Sequence, residues 1–109
     1  MADASKEDMD KALEIIEVAK ATGKIRKGTN EVTKAIERGK AKFVVVAKDA
    51  NPKEIVMHLP LLAQEKNVLF VEVSSRADLG ASAGLEVPTV AVAVVEEGDA
   101  AKLIKALVK

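Results

Sequence analysis

Residues 42–47 read KFVVVA. The run is aromatic and β-branched between flanking lysines, which is the pattern of a strand. It does not alternate apolar with polar residues, so both of its faces must be covered. NVLFVEV at 67–73 and TVAVAVV at 89–95 belong with it. Around these runs the spacing turns helical. Asp8–Ala21 carries apolar residues at Met9, Leu13 and Ile16 and stops at Thr22-Gly23. KIRK, at 24–27, alternates and reads as a short edge strand. Gly28-Thr29 then opens a second helix over Asn30–Arg38, with Thr29 as its expected cap, Val32, Ala35 and Ile36 facing inward, and Gly39 closing it.

Asn51-Pro52-Lys53-Glu54 has the order of a helix start, Asn as cap and Pro at the first helical position. Pro60 must break or restart that helix. Ser75 and Asp78 have capping-box spacing and open a short helix that ends at Gly84. Gly98 to the C-terminus reads as a final helix. Strands alternating with helices predict an α/β layered fold with helices on both faces of a small sheet.

At 109 residues, 49% of them apolar and 31% charged, the chain reads as a single domain over 1–109. Folding should bury roughly 65% of the surface of the unfolded chain. The absence of cysteine removes disulfides, thiolate zinc sites and cysteine nucleophiles together. The first residues, MADASKEDMDK, are acidic and polar, unlike a signal or transit peptide, and VPTVAVAVV is too short to cross a bilayer. The expected location is cytoplasmic, with no membrane partner.

Enzyme templates lack their parts. His58 is the one histidine, so neither a histidine metal cluster nor a Ser-His-Asp triad can be assembled. In HLP it reads as a hydrogen-bonded structural histidine. Gly23-Lys-Ile-Arg-Lys-Gly28 has the glycine spacing of a P-loop, but Thr29-Asn30 stand where Lys-Ser/Thr is required. Glu96-Glu97 sit at a turn. No cofactor, no metal and no catalytic role is expected.

Charge is more informative. The formal net charge is zero, yet residues 1–19 hold two lysines against six carboxylates, a net of −4. Residues 20–42 hold eight basic residues against two glutamates, a net of +6, and the remainder carries −2. A compact +6 block fits either a solvated helix face or a nucleic-acid footprint. With two Phe, no Tyr and no Trp, and both Phe in predicted strands, an aromatic platform for single strands is not expected. A structured RNA, read by shape, phosphates and a few base edges, is what remains.

Within the block, KGTNEVTK at 27–34 has two readings. In one, Thr29 and Glu31 are a cap and a helix-dipole partner. In the other, the first-turn amides bind an anion, while Asn30, Glu31 and Lys34 present an amide, a carboxylate and an ammonium to base edges. The segment alone leaves both open.

The wider chain adds a resemblance. GKIRKGTNEVTKAIERG, AKDANPKEIVMHLPLLAQEKNV, SSRADLGASAGLEVP and VVEEGDA, in this order, closely resemble the kink-turn RNA-binding family of archaeal large-subunit ribosomal proteins. The match runs from about Leu13 to Lys109. It implies a three-layer α/β/α sandwich around a small mixed four-stranded sheet. It also implies a non-catalytic RNA binder that holds sharply bent helices with tandem sheared G·A pairs. The implied partners are ribosomal RNA, box C/D and H/ACA guide RNAs and ribonuclease P RNA, with the proteins of those particles, and the free chain is expected to be a monomer. By position, the resemblance makes Asn30, Glu31 and Lys34 the readers of the G·A pairs and Lys27 and Arg38 phosphate contacts. Gly28 and Thr29 would let the backbone approach. Leu85, Glu86 and Val87 match a second recognition loop, and LEVP reads as an exposed apolar turn. Ile55 matches a contact to a flipped-out nucleotide. Asn51 departs from a carboxylate common in relatives, and a helix cap explains it equally well. The alternative is a protein-interaction scaffold of the same fold without RNA binding.

Overall fold

A computed structural model describes residues 6–50 and 56–108. The elements, in chain order, are α1 (Lys6–Thr22), β1 (Lys24–Lys27), α2 (Thr29–Glu37), β2 (Phe43–Ala47), α3 (His58–Glu65), β3 (Leu69–Val73), α4 (Arg76–Ser82), β4 (Ala91–Glu96) and α5 (Ala101–Val108). A 3-10 turn, Gly98–Ala100, leads into α5. The four strands form one mixed sheet in the order β1-β4-β2-β3. β4 runs antiparallel to both neighbours, with Lys27 opposite Val92 on one side and Val46 opposite Ala91 on the other. β2 and β3 are parallel, Phe43 opposite Leu69 and Ala47 opposite Val73. KIRK is an edge strand, as its alternation predicts.

The unbroken apolar runs are explained by coverage on both faces. Phe43, Val45, Val92 and Val94 pack into the layer formed by α1, α4 and α5. Their strand neighbours Val44, Val46, Ala91 and Ala93 pack against α2 and α3. Each such valine or phenylalanine contributes about 1.5–3 kcal/mol by leaving water. The inward residues expected of α2, Val32, Ala35 and Ile36, are all buried. The result is the expected three-layer α/β/α sandwich.

Local chemistry sets the element ends. Pro60 lies in the first turn of α3, where its missing N–H has no intrahelical acceptor to lose, so the helix starts around it. Ser75 caps α4 by accepting the Asp78 amide at 3.2 Å. Thr22 donates to the Val18 carbonyl (2.8 Å) and accepts the Asp99 amide (2.9 Å), which ties the end of α1 to the 3-10 turn. The expected helix start at Asn51-Pro52 lies outside the described residues.

One close approach fixes the segment between α4 and β4. The Leu85 amide donates to the Gly80 carbonyl (2.9 Å) and the Thr89 amide to the Arg76 carbonyl (3.1 Å). These bonds draw the loop so tightly onto α4 that a Cβ on Gly80 would lie 2.3 Å from the Val87 carbonyl oxygen. Gly80→Ala improves helix propensity by about 1 kcal/mol. It also overpacks a backbone contact, at a cost of about 1–3 kcal/mol. The clash is with main chain that cannot rotate away, so the second effect wins. We expect Gly80→Ala to lower the urea midpoint with an unchanged m-value, and a variant as stable as the parent would refute this packing.

Candidate nucleic-acid interface

The end of the sheet at which β4 begins gathers three separate parts of the chain. Because β4 is antiparallel to β1 and β2, its first residue lies beside the last residues of both. The Gly28 amide donates to the Ala91 carbonyl at 2.9 Å, continuing the β1–β4 ladder to the threshold of α2. The Ala47 amide donates to the Val90 carbonyl, also at 2.9 Å, and brings the segment after β2 to the same end. The loop 85–89 feeds directly into β4. Residues 27–34 and 85–87, some fifty positions apart in the chain, therefore share one rim of the sandwich.

Gly28 has φ 93° and ψ 150°, a conformation that L side chains rarely adopt. A Cβ there would meet nothing within 4 Å, so conformation alone, not crowding, requires the glycine. Gly28 is also the N-cap of α2, and it supplies no side-chain cap. The expected cap is corrected here: Thr29 is the first helical residue, and its carbonyl is an acceptor. The first intrahelical bond runs from the Val32 amide to the Gly28 carbonyl (3.0 Å). The amides of Thr29, Asn30 and Glu31 thus have no intrahelical partner, and the positive end of the helix dipole opens onto the rim.

Around these amides stand the side chains read from the sequence. Lys27, Asn30, Glu31, Lys34 and Arg38 are all exposed, while Gly28 and Thr29 are half-buried. Glu31 and Lys34, three residues apart, line the same shallow cavity of about 220 Å³ with Arg38. Among the described residues, none of Lys27, Glu31, Lys34 and Arg38 is engaged in an ion pair. An amide, a carboxylate and an ammonium on one helix face, beside free main-chain donors, can satisfy both base edges and phosphate oxygens.

The second loop departs in part from expectation. Val87 is 62% exposed and Glu86 is exposed. Leu85 is not: it is half-buried and packs against the core beneath α1 and α4. Its backbone is held by Gly80, so it anchors the loop and leaves Val87 as the apolar group at the surface. Asn51 and Ile55 lie outside the described residues.

Two residues not expected at the site support it. Thr33 donates its one hydroxyl proton to the Thr29 carbonyl (2.7 Å). Its oxygen is 2.8 Å from His58 Nε2, so the imidazole nitrogen must be the donor in that bond. This chain of two bonds links the first residue of α3 to the first turn of α2. Both the neutral Nε2–H tautomer and the imidazolium can make it. The reading of His58 as a hydrogen-bonded structural residue is correct, but spacing alone could not reveal its partner, which lies 25 positions away. Thr33→Val keeps the shape and hands the exposed imidazole donor to water, and it is expected to cost about 0.5 kcal/mol in denaturant unfolding. Stability equal to the parent would show that the bond contributes nothing.

Comparison with known proteins agrees with this fold. The family described as ribosomal protein L7Ae/L30e/S12e/Gadd45 matches residues 10–104. Among solved structures, one described as the Giardia lamblia 15.5kD RNA binding protein superposes with a TM-score of 0.92. Its sequence identity is 31%, over 99% of this chain and 90% of that one. With the match running from within α1 to within α5, this chain belongs to the ribosomal protein L7Ae/L30e/S12e/Gadd45 family.

Proposed function

We propose that this protein is a non-catalytic RNA-binding protein that recognises kink-turns. The observation that carries the reading is the uncapped start of α2, its three free amides flanked by Asn30, Glu31 and Lys34 and facing the same rim as Val87. With glycine as the N-cap no side chain covers the first-turn amides, which leaves them open to an anion. RNA binding is further supported by the family and by the similarity to the Giardia lamblia RNA binding protein.

The chemistry follows from the side chains. Sheared G·A pairs turn guanine edges into a widened groove. Lys34 suits guanine N7 and O6, Glu31 accepts from an exocyclic amine, and the Asn30 amide both donates and accepts. A carboxylate close to phosphates weakens binding in general, so Glu31 is there for discrimination. Lys27 and Arg38 supply sequence-independent phosphate contact. Val87 gives an apolar surface for an unstacked base. By binding the bent conformer better than the extended one, the protein shifts the RNA toward the bend. The particles proposed for it are the large ribosomal subunit, box C/D and H/ACA guide ribonucleoproteins and ribonuclease P, in the cytoplasm of an archaeal cell. In those particles partner proteins or the RNA perform the catalysis.

The test is binding to an isolated kink-turn RNA with fluorophores at both ends, beside the same RNA with both G·A pairs replaced. Tight, pair-dependent bending is expected. Glu31→Ala should reduce discrimination between the two RNAs by about 1–3 kcal/mol. Lys27→Ala should weaken both equally and lower the salt slope by roughly one. Discrimination unchanged in Glu31→Ala would remove the base-reading role.

A further inference from the structure

The cavity beside α2 contains more positive charge than the base-reading role uses. It is lined by Arg26, Glu31, Lys34, Arg38 and Lys40 over a floor that includes Ala35. Four cations against one carboxylate leave a local net charge of +3. Among the described residues none of the four is engaged in an ion pair, and Arg26 holds only a marginal bond from Nη1 to the Ile25 carbonyl at 3.5 Å.

Arg26 and Lys40 reach this cavity by separate devices. On β1, Ile25 packs toward α1, so alternation sends Arg26 to the opposite face, opposite Ala93 in the register and under α2. Lys40 is brought back by the end of α2. The Gly39 amide donates to the Ile36 carbonyl (3.0 Å) and the Lys40 amide to the Ala35 carbonyl (2.9 Å), with Gly39 at φ 71°. This is a complete Schellman closure, and it turns the chain over the helix instead of away from it. Cations at a helix C-terminus have a dipole reason to be there, which covers Arg38 and Lys40. It does not cover Arg26, a strand residue. Four exposed cations around one cleft against a single carboxylate raise the local positive potential and favour an anion there.

We propose that Arg26 and Lys40, with Arg38, form a second phosphodiester site that grips the RNA strand beyond the base pairs read by Asn30, Glu31 and Lys34. The proposal rests on the RNA-binding reading above and adds to it a requirement on the length of the RNA stem. Glu31 repels phosphate from the N-terminal end of the cleft, so the anion lies toward Arg38. Arg38 is seven residues beyond Glu31, about 10 Å along the helix at about 1.5 Å per residue. For a strand laid along α2, that distance carries the backbone from the tandem pairs into the adjoining stem. The phosphates gripped are therefore those of a continuing stem, and not of the tandem pairs themselves.

The test compares two kink-turn RNAs, one whose stem ends at the tandem pairs and one whose stem continues for six further base pairs. Binding of the parent, the Arg26→Gln/Lys40→Gln double variant and a Lys102→Gln control is measured across a salt series, with thermal melts to establish that each is folded. On the long-stemmed RNA the double variant should lose roughly 1.5 to 2 from the slope of log K against log salt. On the truncated RNA it should match the parent, and Lys102→Gln, on α5 in the other layer, should match the parent on both. An unchanged slope on the long stem, or an equal loss on both RNAs, overturns the proposal. So does titration with inorganic phosphate in place of RNA if it shows sub-millimolar binding that the double variant abolishes, because the site then serves a free anion. Replacing both G·A pairs in the long-stemmed RNA separates the two readings. Loss of stem dependence with pair dependence intact removes only the second site, and loss of pair dependence with stem dependence intact removes only kink-turn recognition.

Discussion

The hydrogen bond from the Gly28 amide to the Ala91 carbonyl joins an edge strand, a central strand and the start of the exposed helix in one 2.9 Å contact. It can form because β4 is covered on both faces and antiparallel to both neighbours. Were β4 parallel to β1, the end of β1 would lie at the far end of β4, a full strand away from the loop that precedes it. The interface thus depends on strand direction before it depends on any polar side chain. Apolar packing then holds β4 in place, since Val92 and Val94 go to one layer and Ala91 and Ala93 to the other.

Rigidity at the rim comes from small and polar residues placed where the core cannot supply it. Gly80 lets the loop 85–89 lie against α4, and Leu85 roots that loop in the core, leaving Val87 at the surface. The His58–Thr33–Thr29 chain does the same for the beginning of α2 from the opposite side. A side chain that reads a base edge must be held to within a fraction of an ångström. Both segments of the proposed interface are fastened to helices, although one of them is formally a loop.

The same helix divides its labour by position. Its uncapped N-terminus offers amides and a carboxylate, a combination suited to distinguishing bases. Its C-terminus, closed over Gly39, gathers cations suited to backbone contact whatever the sequence. Glu31 and Arg38, near the two ends of the helix, lie about 10 Å apart along its axis.

Much of this was legible in the chain itself. The β-branched runs at 42–47 and 89–95, the edge character of KIRK, the inward set Val32, Ala35 and Ile36, and the Ser75 cap all follow from periodicity and capping chemistry, which act over a few residues. The order of motifs pointed to the family, and with it to Asn30, Glu31 and Lys34. Other features depended on contacts between distant residues. Thr29 lost its expected capping role because the backbone at Gly28 enters α2 at positive φ and makes Gly28 the cap. Leu85 proved to be an anchor because α4 draws its amide to Gly80, a contact that the letters LEVP do not encode. Arg26 and Lys40 read only as members of a charge block until strand alternation and a Schellman turn faced them into one cleft. Local propensities determine which elements exist. Which of their side chains meet is decided by sheet direction and layer packing, and those form only when the whole chain has collapsed around β4.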